Sequence, residues 1–375
     1  MFSSRCEWAA EPNPITNLLR YKHARGSPVL DLTLSNPTRA GFDYPVSEIV
    51  QALADTLSLQ YDPDPAGLFT AREAVSPDSP DRVLLTASTS EAYSYLFKLL
   101  ANPGDTVLAP RPSYPLFEHL AELESVRVVQ YPLVYDGAWR IDLDALQRAV
   151  TPATRALIVV NPNNPTGSYL KRDERDRIVA LCREHDLALI CDEVFRDYAM
   201  PPHAPSLLET NEVLTFRLSG LSKVAGLPQM KLGWIVVNGP AAMARRAYQG
   251  LEWIADTYLS VGAPVQLAAP TLLALAPGIQ RQIQLRLEQN LSALHAFAGA
   301  ESPFNVLDVE GGWTAILQAP RIRTEEEWTL GLLRDCDVLV QPGYFYDFES
   351  EAYLVVSLLT PTEDLVEGLR RLVSY

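Results

Sequence analysis

Lys223, Asp192 and Asn164 are the residues through which this 375-residue chain would do chemistry. Each stands in a short polar segment beside an apolar run: Asn161-Pro162-Asn163-Asn164-Pro165-Thr166-Gly167, Asp192-Glu193-Val194-Phe195 and Ser219-Gly220-Leu221-Ser222-Lys223. A lysine amine forms a Schiff base with an aldehyde, and an aspartate keeps a pyridine nitrogen protonated so that the ring draws electrons. An asparagine amide hydrogen-bonds a ring hydroxyl. Taken singly, the lysine reads as a solvated surface residue, the aspartate as a turn cap and the asparagine as turn punctuation. Their joint order, at separations typical of strand-helix-strand units, favours the chemical reading.

The elements that must position them are legible as alternating runs. From about Asp81, strand-like Arg82–Thr86, Thr106–Ala109, Ala156–Val160 and Ala188–Cys191 alternate with helical patterns over Glu91–Ala101 and Arg172–His185. This alternation predicts an α/β fold with a mostly parallel central sheet and helices on both faces. Asn102-Pro103-Gly104-Asp105 punctuates one helix end. Strand-like Val213–Leu218 and Gly233–Val237 follow, then long helical patterns over Ala241–Ala255 and about Gln266–Ala298. The last section, from Asn305, mixes short strands and helices and reads as a smaller α+β domain. We expect a large domain over 45–265 and a small domain formed by 1–44 with 266–375. Asp192 ends the strand Leu187–Cys191, at the carboxyl edge where ligands bind in such sheets.

Composition narrows the partners. A formal net charge of -15 and a pI near 4.8 oppose nucleic acid and anionic membrane. Cys6, Cys182, Cys191 and Cys336 are scattered without a C-x-x-C pair, which suggests neither a metal site nor a disulfide framework. No apolar stretch is long enough to span a bilayer, and the start of the chain lacks a signal-like apolar region. The expected location is the cytoplasm.

With these residues in place, the chain resembles the class I/II aminotransferases, pyridoxal phosphate-dependent enzymes of fold type I. The resemblance extends over nearly the full length through Tyr61-Asp-Pro-Asp-Pro-Ala-Gly67, Thr86-Ala-Ser-Thr-Ser-Glu-Ala92, Pro103-Gly-Asp105 and Arg111-Pro-Ser-Tyr114-Pro115. It implies that pyridoxal 5'-phosphate is the cofactor, that Lys223 carries it as a Schiff base and then shuttles a proton, and that Asp192 pairs with its ring nitrogen. It also implies that Asn164 hydrogen-bonds the ring hydroxyl and Tyr114 stacks on the ring. Ser88, Thr89 and Ser90, ahead of a helix, would face the phosphate with hydroxyls and free N–H groups. Ser222 would add a hydroxyl. Tyr61 would reach the same phosphate across the interface of a homodimer with shared active sites.

Three positions depart from the family pattern. Lys231 stands where an arginine usually grips the phosphate, giving charge without the bidentate fork. Phe195 replaces a tyrosine that donates to the ring oxygen, and Tyr198 is the expected substitute. In Tyr353-Leu354-Val355-Val356-Ser357, Val355 occupies the place of the arginine that clamps the substrate α-carboxylate. Either another cation takes over, with Arg39 in the substrate-loop-like segment Leu34–Gly41 with Asn36 as the candidate, or the substrate lacks an ordinary α-carboxylate. Asp256 lies in a segment resembling one lent to the neighbouring site and would attract a cationic side chain.

The expected function is amino transfer between an amino acid and a 2-oxo acid. A lyase or decarboxylase on the same fold is the alternative, because the ring stabilises any Cα carbanion. A non-catalytic binding or regulatory protein is a third reading, opposed by the presence of Lys223, Asp192 and Asn164 together.

Overall fold

The computed structural model describes residues 3–6, 12–203, 208, 210–299 and 302–375. Eight strands form one sheet in the order Val83–Thr86, Gly233–Asn238, Thr215–Gly220, Ala188–Asp192, Thr154–Val160, Thr106–Arg111, Arg127–Tyr135 and Trp139–Ile141. The five strands from Thr215–Gly220 to Arg127–Tyr135 are mutually parallel, whereas Gly233–Asn238 runs antiparallel between its neighbours. The sheet is therefore mostly parallel, as expected. The hairpin strand Trp139–Ile141 adds an antiparallel edge that the sequence patterning did not reveal.

Both faces of the central strands are apolar, and their side chains alternate between two cores. Ile158 and Val160 pack with Tyr93, Leu96, Phe117 and Leu251 on one face. Leu157 and Val159 pack with Leu146, Ile178 and Cys182 on the other. This two-sided burial explains why the strands read as continuous hydrophobic runs rather than as polar-apolar alternation.

A second, antiparallel sheet contains Asn305–Val306, Thr314–Gln318, Tyr353–Ser357 and Gln341–Pro342. The N-terminal segment joins this end of the chain, with Leu30–Asp31 pairing in parallel with Val338–Leu339. The helix Ala263–Phe297 serves two cores. Val265, Ala268 and Leu272 pack with strand residues of the large sheet, while Ile279, Ile283 and Leu287 pack with Leu32, Leu354 and Leu369. The boundary expected at 265/266 thus falls in the first turn of a helix whose first half packs on the large sheet.

Candidate active site

Parallel strands deliver their following loops to one edge, and there the chemistry-bearing segments meet. Val160 precedes the turn containing Asn164, Asp192 is the last residue of its strand, and Gly220 precedes the helix Leu221–Val224 that carries Ser222 and Lys223. The turn is anchored by buried Asn163, whose amide donates to the Pro112 carbonyl and to Thr166 Oγ1, at 3.0 and 2.9 Å. Gly167 closes it at φ 71°, a left-handed conformation, and a Cβ there would lie 2.6 Å from the Gly311 carbonyl oxygen. This glycine is required by both conformation and space.

These loops enclose a cavity of about 400 Å³ lined by Ser88, Thr89, Ser90, Tyr114, Asn164, Asp192, Ser222, Lys223 and Lys231, together with residues from the smaller sheet. That volume suits a small-molecule site, for which roughly 300–1,000 Å³ is usual. Nine residues singled out from the sequence are therefore brought to one place by the tertiary fold.

Electrostatics divide the cavity. The Asp192 carboxylate is buried, which raises its pKa from 3.8 to about 6 against the opposing pull of its hydrogen bonds. It accepts from the Val194 N–H at 3.2 Å and from the Tyr93 hydroxyl at 3.0 Å. Burial lowers the Lys223 amine to about 8, with Asp192 pulling it back up. Lys223 Nζ lies 4.8 Å from the Trp313 ring centroid and 5.2 Å from that of Phe195. Glu193, next to the aspartate, points away toward Arg217 and Arg196 at 3.7 and 3.8 Å.

The serine-threonine turn begins the helix Thr89–Leu100. Ser88 Oγ caps it by accepting from the Glu91 N–H at 3.2 Å, and Glu91 Oε2 in turn accepts from the Ala87 N–H at 2.6 Å. Gly233 lies under this turn, where a Cβ would come within 3.0 Å of Ser88 C and 3.1 Å of Thr89 N. A Cβ on Gly220, its cross-strand partner, would lie 2.8 Å from the Leu232 carbonyl oxygen. Gly233 thus lets the helix start descend onto the sheet edge.

Five expected site residues lie elsewhere in the protomer. Tyr198 is fully buried, and its hydroxyl donates to the Lys223 carbonyl at 2.6 Å, so it holds the lysine backbone instead of supplying the donor lost at Phe195. Arg39 is exposed and absent from the cavity lining, and Asn36 Oδ1 is occupied by the Thr38 N–H and hydroxyl at 3.1 and 2.7 Å. The expected replacement clamp is not formed within the chain. Tyr61 is 85% exposed and lines a separate cleft with 62–65 and 259–263. Asp256 lines a shallow depression beside Trp253.

Val355, at the expected arginine position, is completely buried against Leu307, Ile316 and Tyr346, while its neighbours Val356 and Ser357 line the cavity. Among the described lining residues the cations are Lys223 and Lys231. Neutral groups from distant segments complete the wall: Thr33, Ser35, Trp313, Thr314 and Gln341. Ser357 draws the N-terminal segment in, its N–H donating to the Leu32 carbonyl at 2.7 Å and its hydroxyl to the Leu34 carbonyl at 2.5 Å. The sequence reading missed these residues, which carry no local motif. Tyr93 was also missed, although its position one helical turn beyond Thr89 was a usable signal.

A lysine and a buried carboxylate lining one cavity, with a helix start cleared by Gly233, fit a phosphorylated pyridine cofactor on a mostly parallel sheet. The model of the aminotransferase class I and II family matches residues 43–372, and the chain belongs to that family. Glutamate-pyruvate aminotransferase AlaA of Haemophilus influenzae is 28% identical over 93% of this chain and 91% of its own. Its Escherichia coli counterpart is 31% identical over 69% and 67%. Among solved structures, an aminotransferase from Escherichia coli matches with TM-score 0.89 and 25% identity, covering 100% of this chain and 97% of that one. The alanine aminotransferase from Pyrococcus furiosus has the same fold, with TM-score 0.90 at 23% identity over 100% and 99%. The chain is a pyridoxal phosphate-dependent aminotransferase, and the Lys223 amine, the buried Asp192 carboxylate and the helix start cleared by Gly233, all at one cavity, fit that cofactor.

Proposed function

We propose that this aminotransferase moves an amino group between an amino acid and a 2-oxo acid, with Lys223 and Asp192 as its catalytic residues. When bound, pyridoxal phosphate supplies an aldehyde carbon for imine exchange and a ring that accepts the electron pair left at the substrate Cα. Lys223 Nζ attaches the cofactor and, once displaced, takes the proton from Cα and returns it. Its depressed pKa of about 8 supports this role, since the neutral amine is then accessible near neutral pH. Asp192 holds the proton on the ring nitrogen. The observation that carries the reading is the placement of these two groups on one cavity with their pKa values displaced toward each other.

The remaining cofactor residues follow from their positions. Ser88, Thr89 and Ser90 would bind the phosphate at the helix start, with Ser222 and Lys231 beside them. Asn164 would face the ring hydroxyl, and Tyr114 would cover the ring. Gly233→Ala tests the phosphate assignment. Its Cβ would press on Ser88 and Thr89, and we expect a loss of about 1–3 kcal/mol in stability from overpacking. Cofactor affinity should fall roughly tenfold, equivalent to about 1.4 kcal/mol. Chemical denaturation and cofactor titration measure the two effects.

We also propose a homodimer. Leu59, Tyr61 and Trp253 are large apolar side chains 87%, 85% and 77% exposed, and pairing of two chains would take such surface out of water. Pairing across it would bring Tyr61 to the partner's phosphate and Asp256 toward the partner's substrate. The four unpaired cysteines fit a reducing compartment, which we take to be the cytoplasm.

One experiment tests both proposals. An amino acid added to the yellow, cofactor-loaded protein should abolish its visible absorbance, and a 2-oxo acid should restore it, with the protein sedimenting at twice the chain mass. Release of ammonia or sulfide without that reversible colour change would mark a lyase instead, and a concentration-independent single-chain mass would remove the dimer.

A further inference from the structure

Tyr93 lies on the helix Thr89–Leu100, one turn beyond the serine-threonine turn, and is 3% exposed. Its ring is wedged edge-on against Phe117, with centroids 5.3 Å apart, and tilted against Phe97 at 6.0 Å. This packing leaves the hydroxyl directed at Asp192 Oδ2, 3.0 Å away, while the Val194 N–H donates to Oδ1 at 3.2 Å. The carboxylate is thus held at both oxygens by groups from two different elements.

We propose that Tyr93 is a positioning residue for Asp192, fixing the carboxylate toward the cofactor ring, so that the helix facing the phosphate also governs the ring-nitrogen end of the cofactor. The inference rests on the reading of Asp192 as the ring-nitrogen partner. Burial and the neighbouring Asp192 charge push the Tyr93 hydroxyl well above 10, so it remains a donor throughout the working pH range. A donor to a carboxylate favours the ionised form, and here it opposes the burial that would otherwise protonate Asp192. A carboxylic acid in that place could not hold a proton on the ring.

The groups around this pair come from several elements. Cys191 and Glu193 flank Asp192 on its own segment, Lys223 faces it from the neighbouring helix, Tyr114 faces it from the loop after Arg111, and Tyr131 of the strand Arg127–Tyr135 acts electrostatically on Tyr93. Glu193 engages Arg217 and Arg196 instead of the cavity.

Tyr93→Phe preserves the ring packing and removes only the donor. For the full-length holoenzyme we expect kcat to fall roughly 10–100-fold, the worth of one hydrogen bond to a buried charge, with the amino-acid KM unchanged. Pyridoxal phosphate should bind the apoprotein more weakly by a similar factor, read from quenching of tryptophan fluorescence. The pH at which the visible absorbance changes should move by about one unit. In an Asp192→Asn background, Tyr93→Phe should add nothing to either spectrum or affinity. A variant that only melts at lower temperature while spectrum, affinity and kcat stay unchanged would overturn the proposal, as would full additivity with Asp192→Asn. Should Asp192→Asn alone leave spectrum and kcat intact, the underlying assignment of Asp192 fails, and the Tyr93 proposal with it.

Discussion

Lys223→Ala is expected to fold, to retain no cofactor after borohydride reduction and denaturation and to lose at least about 10⁴-fold in turnover, since one substitution would remove both a nucleophile and a proton carrier. Its stability should change in the opposite direction to its activity. Lys223 is half-buried in the cavity wall, where desolvation of its amine sets a folded-state pKa of about 8, below the ordinary 10.5. Between those values the unfolded chain binds a proton that the folded protein has released, so wild-type apoprotein gains stability as pH rises from about 8 to about 10.5. Below pH 8 the folded state carries a buried ammonium at a cost of about 3 kcal/mol. Alanine abolishes that cost and that pH dependence, at the expense of the alkyl packing against Phe195 and Trp313. Urea melts of the two apoproteins at pH 7 and pH 10 measure it: the variant's stability should be nearly flat across this window, and a parallel rise in both proteins would refute the account.

Asp192→Asn is expected to cost roughly 10³-fold in kcat, the scale reached when one preorganised polar group is removed from a dry site. The amide retains shape and an acceptor for Tyr93 and Val194 but cannot hold the ring proton. For the apoprotein the pH sign is worked out from the raised carboxyl. A folded-state pKa of about 6, against 3.8, means that the folded protein keeps a proton the unfolded chain has lost between those values. Stability therefore falls as pH rises from about 4 to about 6 and stays low above it, by about 3 kcal/mol in total. Asparagine removes this fall, although Lys223 then loses its counter-charge. The apoprotein of Asp192→Asn should be more stable than wild type at pH 7 and no better at pH 4, the signature of a site whose function is maintained against its stability. Equal denaturation midpoints at pH 7 would show that the burial of Asp192 is not the cost inferred here.

Much of the large sheet was legible in the chain because both faces of its strands are buried. Runs such as Ala156–Val160 and Ala188–Cys191 stand out as continuous apolar stretches, bounded by turn residues that mark their ends. Arg127–Tyr135 and Trp139–Ile141 did not stand out, because they lie at a partly exposed edge and carry mixed side chains. The long helix Ala263–Phe297 was visible as a helical pattern, but its service to two cores was not, since periodicity reports which face is apolar and not what covers it.

The same division runs through the site. Sequence alone singled out the cavity-lining set, Asn164, Asp192, Ser222 and Lys223 with the Ser88–Ser90 turn, because each lies at or soon after the end of a strand and parallel topology carries all such positions to one edge. Tertiary structure alone decided what these groups touch. Tyr93 reaches Asp192 across 99 residues of chain, Tyr198 is spent on the Lys223 carbonyl, Val355 is turned into the core, and Arg39 stays outside the cavity. Hydrogen-bond partners and burial are properties of segments far apart in sequence brought into contact. Burial shifts the Asp192 carboxyl up and the Lys223 amine down, and no local motif encodes either shift.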